Sequence, residues 1–300
     1  MNSVNENIAL PFRDITFSIK REDLLHPMVS GNKFRKLKYN LIAAKAQGAQ
    51  KLLTFGGAFS NHIAAVSAAA MEHGFESIGV IRGEELSEKV EHNPTLQFAK
   101  NCGMKFEFVS REDYRFKNDS EFIAALERKF GSFYLIPEGG TNDYAVKGCE
   151  EILSTSDSVF DYICCPVGTG GTISGLINSI HSNQQVLGFP ALKGGFLQEE
   201  ICKFAQNDNW SLIEDYHFGG YSKINEELIH FINQFHQSTG ILLDPVYTAK
   251  MVFGVMDMIN KNYFPKNSKI LAIHTGGIQG IEGMNIKLAS KNLPLINRHD

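Results

Sequence analysis

Short, nearly continuous apolar runs alternate along the chain with longer segments in which apolar residues return every three or four positions. The runs Lys51 to Phe55, Ser77 to Ile81, Lys105 to Val109, Tyr162 to Val167, Gln185 to Phe189 and Lys269 to Ile273 read as strands. A segment starting near Asn61, then Thr95 to Asn101, Ser120 to Phe130, Ile173 to Ile180 and a late stretch running to about Met258 read as helices. This alternation predicts βαβ units, and so an α/β fold of mostly parallel, twisted sheets flanked by helices. Three of the strands run into glycine, at Phe55 to Gly57, Val167 to Gly171 and Thr275 to Gly277. Ligands of open α/β sheets gather beyond the carboxyl ends of the strands, so the three turns are expected to share one cleft. There is no internal repeat and no low-complexity linker.

Composition narrows the picture. A chain of 300 residues with 43% hydrophobic content can bury a substantial core, as two lobes or one large α/β unit. A net charge of -4 and a pI near 6.2 give no general basic face, which argues against nucleic-acid or anionic-membrane partners. The longest apolar candidate, Ile63 to Met71, falls short of the roughly 20 residues that span a bilayer and reads as a packed helix. Met1 to Asn7 is polar and lacks the pattern of a secretory leader, so a cytoplasmic location is expected. The five cysteines have neither metal-site nor disulfide spacing and read as core thiols; Cys164 and Cys165, adjacent on a strand, should face opposite ways.

Candidate chemistry lies in the turns. Gly31, Asn32, Lys33, Phe34, Arg35, Lys36 and Leu37 put three cations where a helix begins. Positive charge is disfavoured at the positive end of a helix dipole, so the cluster suggests an anion such as phosphate; a solvated basic turn is the alternative. Gly168, Thr169, Gly170, Gly171 and Thr172 form a glycine turn between a strand and a helix, mechanically a phosphate cradle. No lysine follows as in a P-loop, and Ile173 stands where a dinucleotide fingerprint needs glycine. Ser60 and Asn61 follow another glycine turn and suit helix capping as well as ligand contact, with His62 close by. Asp244, Pro245, Val246, Tyr247 and Thr248 precede a helix, and His274, Thr275, Gly276 and Gly277 end a strand. Singly, Tyr247 and His274 would pass for core residues.

Together and in this order, the lysine turn, Ser-Asn-His, Gly-Thr-Gly-Gly-Thr, Asp-Pro-Val-Tyr-Thr and His-Thr-Gly-Gly resemble the pyridoxal-phosphate enzymes of the 1-aminocyclopropane-1-carboxylate deaminase and D-cysteine desulfhydrase family. The resemblance starts at Lys20, Arg21, Glu22 and Asp23, passes Gly277, and takes in Ile81, Arg82, Gly83 and Glu84 and the stretch Ile136 to Asn142. It implies a two-domain, tryptophan-synthase-β-like enzyme of fold type II. The larger, cofactor-binding domain would comprise residues 1–36 plus 146–300, and an inserted smaller domain residues 37–145. It also implies a homodimer acting on a small amino acid.

By the same resemblance Lys33 would hold the cofactor covalently and, once displaced by substrate, serve as the base. Lys36, one turn on, would reach the cofactor phosphate, and Arg35 would be structural. Asn61 and the loop Gly168, Thr169, Gly170, Gly171 and Thr172 would supply further phosphate and ring contacts. Ser60, with Asn61 and His62, would face the substrate, Ser60 meeting its carboxylate or acting on it directly; Tyr247 would lie against the cofactor ring, with Tyr221 as a second active-site tyrosine. Deaminases of the family carry glutamate after that tyrosine, which keeps the pyridine nitrogen protonated. Thr248 offers the ring a neutral hydrogen bond, enough to eliminate a good leaving group such as hydrosulfide. Thr248 and His62 thus resemble the desulfhydrase side, while Ala249 and Gln279 depart from the family pattern near the substrate. The expected function is α,β-elimination from D-cysteine. The alternatives are deamination of 1-aminocyclopropane-1-carboxylate and, outside enzymes, a phosphate- or nucleotide-binding module.

Overall fold

The computed structural model describes residues 3–11 and 14–298. Among these, ten strands form two sheets: β1 (Asn5–Ile8), β2 (Thr16–Lys20), β3 (Lys51–Gly56), β4 (Glu76–Arg82), β5 (Lys105–Val109), β6 (Tyr134–Ile136), β7 (Tyr162–Val167), β8 (Gln185–Pro190), β9 (Trp210–Leu212) and β10 (Lys269–Ile273). The larger sheet has the order β1-β2-β10-β7-β8-β9 and the smaller β5-β4-β3-β6. All neighbours pair in parallel except β1 with β2. The six expected strands form within one residue of their expected ends, while β1, β2, β6 and β9 are additions.

The helices are α1 (Asn32–Ala46), α2 (Asn61–His73), α3 (Pro94–Asn101), α4 (Ser120–Phe130), α5 (Asp143–Cys149), α6 (Gly171–Ser179), α7 (Leu197–Cys202), α8 (Glu226–Thr239), α9 (Thr248–Asn260) and α10 (Gly280–Ala289). One face of the larger sheet packs Phe17, Ile19, Cys164 and Ile270 against apolar residues of α8, α9 and α10. The other packs Ile163, Cys165, Leu271 and Ile273 against α6 and α7. Cys164 and Cys165 therefore do point to opposite faces. The smaller sheet is covered by α1, α2 and α3 on one side and by α4 on the other.

Strand order fixes where a ligand can sit. In the larger sheet the chain runs outward from β7 through β8 to β9, and β10 then pairs with the other edge of β7. The smaller sheet repeats this: β3, β4 and β5 run one way and β6 returns to the far side of β3. At each reversal the loops leaving the two central strands diverge and open a crevice at the carboxyl ends. The loops in question are 57–60 and 137–141 from the smaller sheet, and 168–170 and 274–279 from the larger.

Candidate active site

The lysine turn is built by a close approach. Gly31 has a φ of 62°, and a Cβ there would lie 2.0 Å from the Thr275 carbonyl oxygen, so only glycine lets the start of α1 meet the end of β10. The Asn32 N–H donates to that same oxygen at 3.2 Å. Lys33 is half-buried with its amine turned inward, 3.5 Å from the Gly139 carbonyl oxygen. Lys36 Nζ, fully buried, donates to that oxygen at 2.9 Å and to Thr141 Oγ1 at 3.1 Å. Burial, with the charge of Lys36 added, pushes the Lys33 amine down to about 7. A lysine of this kind is half neutral, and so nucleophilic, near neutral pH. Arg35 points the opposite way and forms a buried two-pronged pair with Glu22, Nε to Oε2 and Nη2 to Oε1, both at 2.9 Å. The cation cluster thus divides into two amines that approach one carbonyl oxygen and one guanidinium held in an ion pair.

The glycine loop after β7 closes around the Lys36 amine. Asn32 Nδ2 donates to Thr172 Oγ1 at 2.8 Å, and Thr169 Oγ1 lies 2.6 Å from Thr141 Oγ1. A Cβ on Gly171 would sit 3.2 Å from Lys36 Nζ, and one on Gly168 would press on the Tyr247 ring at 3.1 Å. Side chains at these two places would fill the space between the lysine, the tyrosine and the N-terminus of α6.

Across the cleft, Ser60 Oγ accepts from the N–H groups of His62 and Ile63 at 3.2 and 3.4 Å and so caps α2. Asn61 Oδ1 accepts from Gln279 Nε2 at 3.0 Å. The departure at Gln279 therefore orients the Asn61 amide. His62 is buried; its Nε2 is 2.8 Å from Thr54 Oγ1, its ring packs against Gly140, and its Nδ1 has no partner. Burial and the nearby charges of Lys33 and Lys36 hold its pKa well below the usual range, so the ring is neutral. The sequence expectation put His62 beside the substrate, whereas its bonds place it behind the 137–141 turn that receives the lysines.

Tyr247 precedes α9, and its ring meets that of Tyr221 edge-on at 6.1 Å. Burial, with the neighbouring phenol and Asp244, raises the Tyr247 pKa well above its ordinary value, and burial raises that of Tyr221; both phenols keep their protons. Thr248 departs from expectation. Its hydroxyl accepts from the Asp244 N–H at 2.7 Å and donates to the Asp244 carbonyl oxygen at 3.2 Å, so its single proton serves the first turn of α9 rather than a ring nitrogen. Asp244 itself is fully buried; Oδ1 accepts from the N–H groups of Val246 and Tyr247 at 3.2 and 2.6 Å, and Oδ2 has no partner. Burial pushes its carboxyl up to about 7. Sequence reasoning gave no role to Asp244, Asn32, Thr141 or the Gly139 carbonyl. The last could not have been found, since the feature is a backbone oxygen.

A lysine amine brought down to about 7, a buried lysine against a glycine loop and a pair of protonated phenols, gathered at the carboxyl ends of two mostly parallel sheets, fit one class: a pyridoxal-phosphate-dependent enzyme of fold type II. The family model described as "Pyridoxal-phosphate dependent enzyme" matches residues 11–276, and the chain belongs to that family. It is 30% identical to the bifunctional D-cysteine desulfhydrase/1-aminocyclopropane-1-carboxylate deaminase, mitochondrial, of Arabidopsis thaliana, over 91% of this chain and 75% of that protein. It is 28% identical to the D-cysteine desulfhydrase of Serratia proteamaculans, over 86% of each. Among solved structures, one described as an ACC deaminase homologue superposes with a TM-score of 0.81 at 30% identity, covering 97% of this chain and 94% of that one. Within the pyridoxal-phosphate enzymes the chain is thus a lyase of the 1-aminocyclopropane-1-carboxylate deaminase and D-cysteine desulfhydrase family, as expected, and the alternative of a phosphate- or nucleotide-binding module is set aside. Among the described residues no helix is long and apolar enough to cross a membrane.

The residues present fit the cofactor. Lys33 is a lysine whose amine is neutral enough to take up an aldehyde, and Lys36 with the 168–172 loop supplies charge and N–H groups suited to a phosphate. Two buried atoms without a hydrogen-bond partner lie at neighbouring glycine turns: Asp244 Oδ2 is 2.9 Å from where a Cβ on Gly277 would be, and His62 Nδ1 is 3.3 Å from where one on Gly140 would be.

Proposed function

We propose that the protein eliminates the β-substituent of a small amino acid, as a D-cysteine desulfhydrase does, giving pyruvate, ammonia and hydrogen sulfide. The observation that carries this reading is the Lys33 amine: burial beside Lys36 makes it a base near neutral pH, and it faces the cleft into which the glycine loops open. Bound pyridoxal phosphate would supply the electron sink for loss of the α-proton. Lys33 Nζ takes that proton. Lys36 holds the phosphate end, so the amine of Lys33 is aimed rather than free to wander. Ser60 and Asn61, at the N-terminus of α2, receive the substrate carboxylate, where the helix dipole favours negative charge. Tyr247, with Tyr221 against it, lies over the glycine loop and offers an O–H to the departing sulfur.

Thr248 supports elimination over cyclopropane opening, since no carboxylate stands at that position to charge the ring nitrogen. By family resemblance we extend the proposal to a cytoplasmic homodimer. Its two lobes are residues 1–36 with 146–300 and residues 37–145, and the cleft lies between them. The test is spectroscopic. The purified protein loaded with pyridoxal phosphate shows the visible absorption band of the lysine-bound cofactor and releases sulfide from D-cysteine, and Lys33→Ala loses both. A Lys33→Ala variant that keeps the band would remove the assignment.

A further inference from the structure

The run Ile81 to Glu84 has no part in the chemistry above, yet it reaches the same cleft. Arg82 ends β4, and β4 pairs with β3 so that Ile81 lies opposite Gly56. The Arg82 side chain therefore leaves the sheet beside the 57–60 turn, and its Nη2 lies 3.9 Å from where a Cβ on Gly57 would be. Its guanidinium carbon is 5.6 Å from the centroid of the Tyr114 ring. The Tyr114 hydroxyl donates to Glu138 Oε1 at 2.8 Å, and Glu138 precedes the glycine whose carbonyl receives Lys33 and Lys36. Arg82, Tyr114 and Glu138 line an open cavity of about 370 Å³ together with Arg111, Arg115 and Lys117. The charges of Arg82 and Glu138 also act on the Tyr221 phenol.

Charge is unbalanced there. Arg111 pairs with Glu85 at 2.6 Å and Lys117 with Glu138 Oε2 at 3.5 Å. Both oxygens of Glu138, the only carboxylate lining the cavity among the described residues, are therefore engaged. Arg82 and Arg115 make no ion pair with a described carboxylate. An amino acid such as D-cysteine brings one carboxylate, for which the α2 N-terminus is already available, and its side chain brings no second negative charge. A planar guanidinium left open beside the substrate turn matches an additional oxyanion, which it can bind through two parallel N–H groups.

We propose that Arg82, with Arg115 on the wall of the same cavity, forms an anion subsite at the mouth of the cofactor cleft, and that it selects amino acids whose β-carbon carries an acidic oxyanion ester, a sulfate or a phosphate. The inference rests on the elimination reading and names its substrate class. For serine O-sulfate, Lys33 takes the α-proton and the Cβ–O bond breaks with its electron pair leaving on the ester oxygen. One water enters, giving pyruvate, ammonium and hydrogen sulfate; O-phosphoserine gives hydrogen phosphate in the same way. No oxidant or reductant is needed. Sulfate and phosphate monoesters also leave readily, in keeping with a position after Tyr247 that carries no carboxylate.

The test compares serine O-sulfate and O-phosphoserine, each as both enantiomers, with β-chloroalanine, which has a neutral side chain and eliminates chloride by the same route. In the holoenzyme, Arg82→Gln lowers the ratio of kcat/KM for the anionic substrates over β-chloroalanine by about 10- to 100-fold, mainly through KM. Arg82→Lys restores part of it. A ratio unchanged in Arg82→Gln overturns the subsite, whether because nothing is lost or because both substrate types lose equally, as a partner of the α-carboxylate would require. If the wild type keeps its visible band and turns over none of these compounds or D-cysteine, the elimination reading falls on its own. The subsite is then decided by titrating that band with sodium sulfate. A saturable change present in wild type and absent in Arg82→Gln upholds it, and identical behaviour of the two proteins overturns it.

Discussion

Lys33 and Lys36 approach one carbonyl oxygen, that of Gly139, and burial lowers the pKa of both, with the charge of Lys36 adding to the shift of Lys33. Two ammonium groups in one desolvated site repel, and the outer one yields its proton. The Lys33 amine, ordinarily near 10.5, is brought to about 7, so its neutral and reactive fraction rises with pH through about 7 and is nearly complete well below the ordinary lysine range. The rate at which apoprotein takes up pyridoxal phosphate should follow that curve, with a midpoint near 7. Lys36→Met removes a charge that helps lower the Lys33 pKa, so the midpoint moves up. A midpoint near 10 in the wild type, or one unmoved by Lys36→Met, would contradict this assignment of causes. Little of this was legible residue by residue. The identity and spacing of the lysines could be read, but their common acceptor is a backbone atom about a hundred residues away. Thr248 shows the opposite limit: its residue type was legible, yet its hydroxyl is committed to the backbone of Asp244, accepting from the N–H and donating to the carbonyl in the turn that leads into α9.

At the scale of elements, buried ion pairs explain why the run Lys20 to Asp23 is so highly charged at the end of a central strand. Lys20 pairs with Asp157 at 2.9 Å, Arg21 with Asp23 at 2.7 Å, and Glu22 with Arg35 of α1. Glu22→Ala strands a buried guanidinium, which costs about 3–5 kcal/mol and lowers the melting temperature of the holoenzyme by roughly 10 °C; a shift of a degree or less would show the pair to be dispensable. The turn carrying Tyr221 is clamped in a similar way. Phe218, Gly219, Gly220 and Ser222 all have positive φ, and Lys250 of α9 donates to the carbonyls of His217 and Gly220 at 2.9 and 2.8 Å. Lys250→Met should free this turn and lower kcat/KM about tenfold while the visible band persists. Combined with Tyr221→Phe it should cost no more than the larger single loss, and additive losses would separate Lys250 from Tyr221. The charged run also explains a missed strand. In β2, Ser18 and Lys20 are buried but polar, and the partner that neutralises Lys20 lies far along the chain. The strands β6 and β9, three residues each, are too short to show a periodicity.

At the scale of the molecule, two sheets of matching central strand order bring their switch-point loops together; Ser60, Asn61 and the 168–172 loop come from those loops and the helices that follow them, while α1 brings Lys33 and Lys36 and the turns before α8 and α9 bring Tyr221 and Tyr247. That convergence was legible, because three strands visibly end in glycine and a parallel sheet sends such ends to one side. The partner strands β2 and β6 were not, and with them went the reason the lysine turn and the 137–141 turn face each other. The Arg82 cavity likewise depends on register: only the pairing of β4 with β3 carries that guanidinium to the substrate turn. What the assembled cleft does is read by incubating the holoenzyme in parallel with D-cysteine and with 1-aminocyclopropane-1-carboxylate and measuring sulfide and pyruvate in the first and 2-oxobutyrate in the second. Elimination governed by Lys33, without a carboxylate at position 248, predicts sulfide and pyruvate in equal amounts and little or no 2-oxobutyrate, and 2-oxobutyrate as the dominant product, without sulfide, would contradict it.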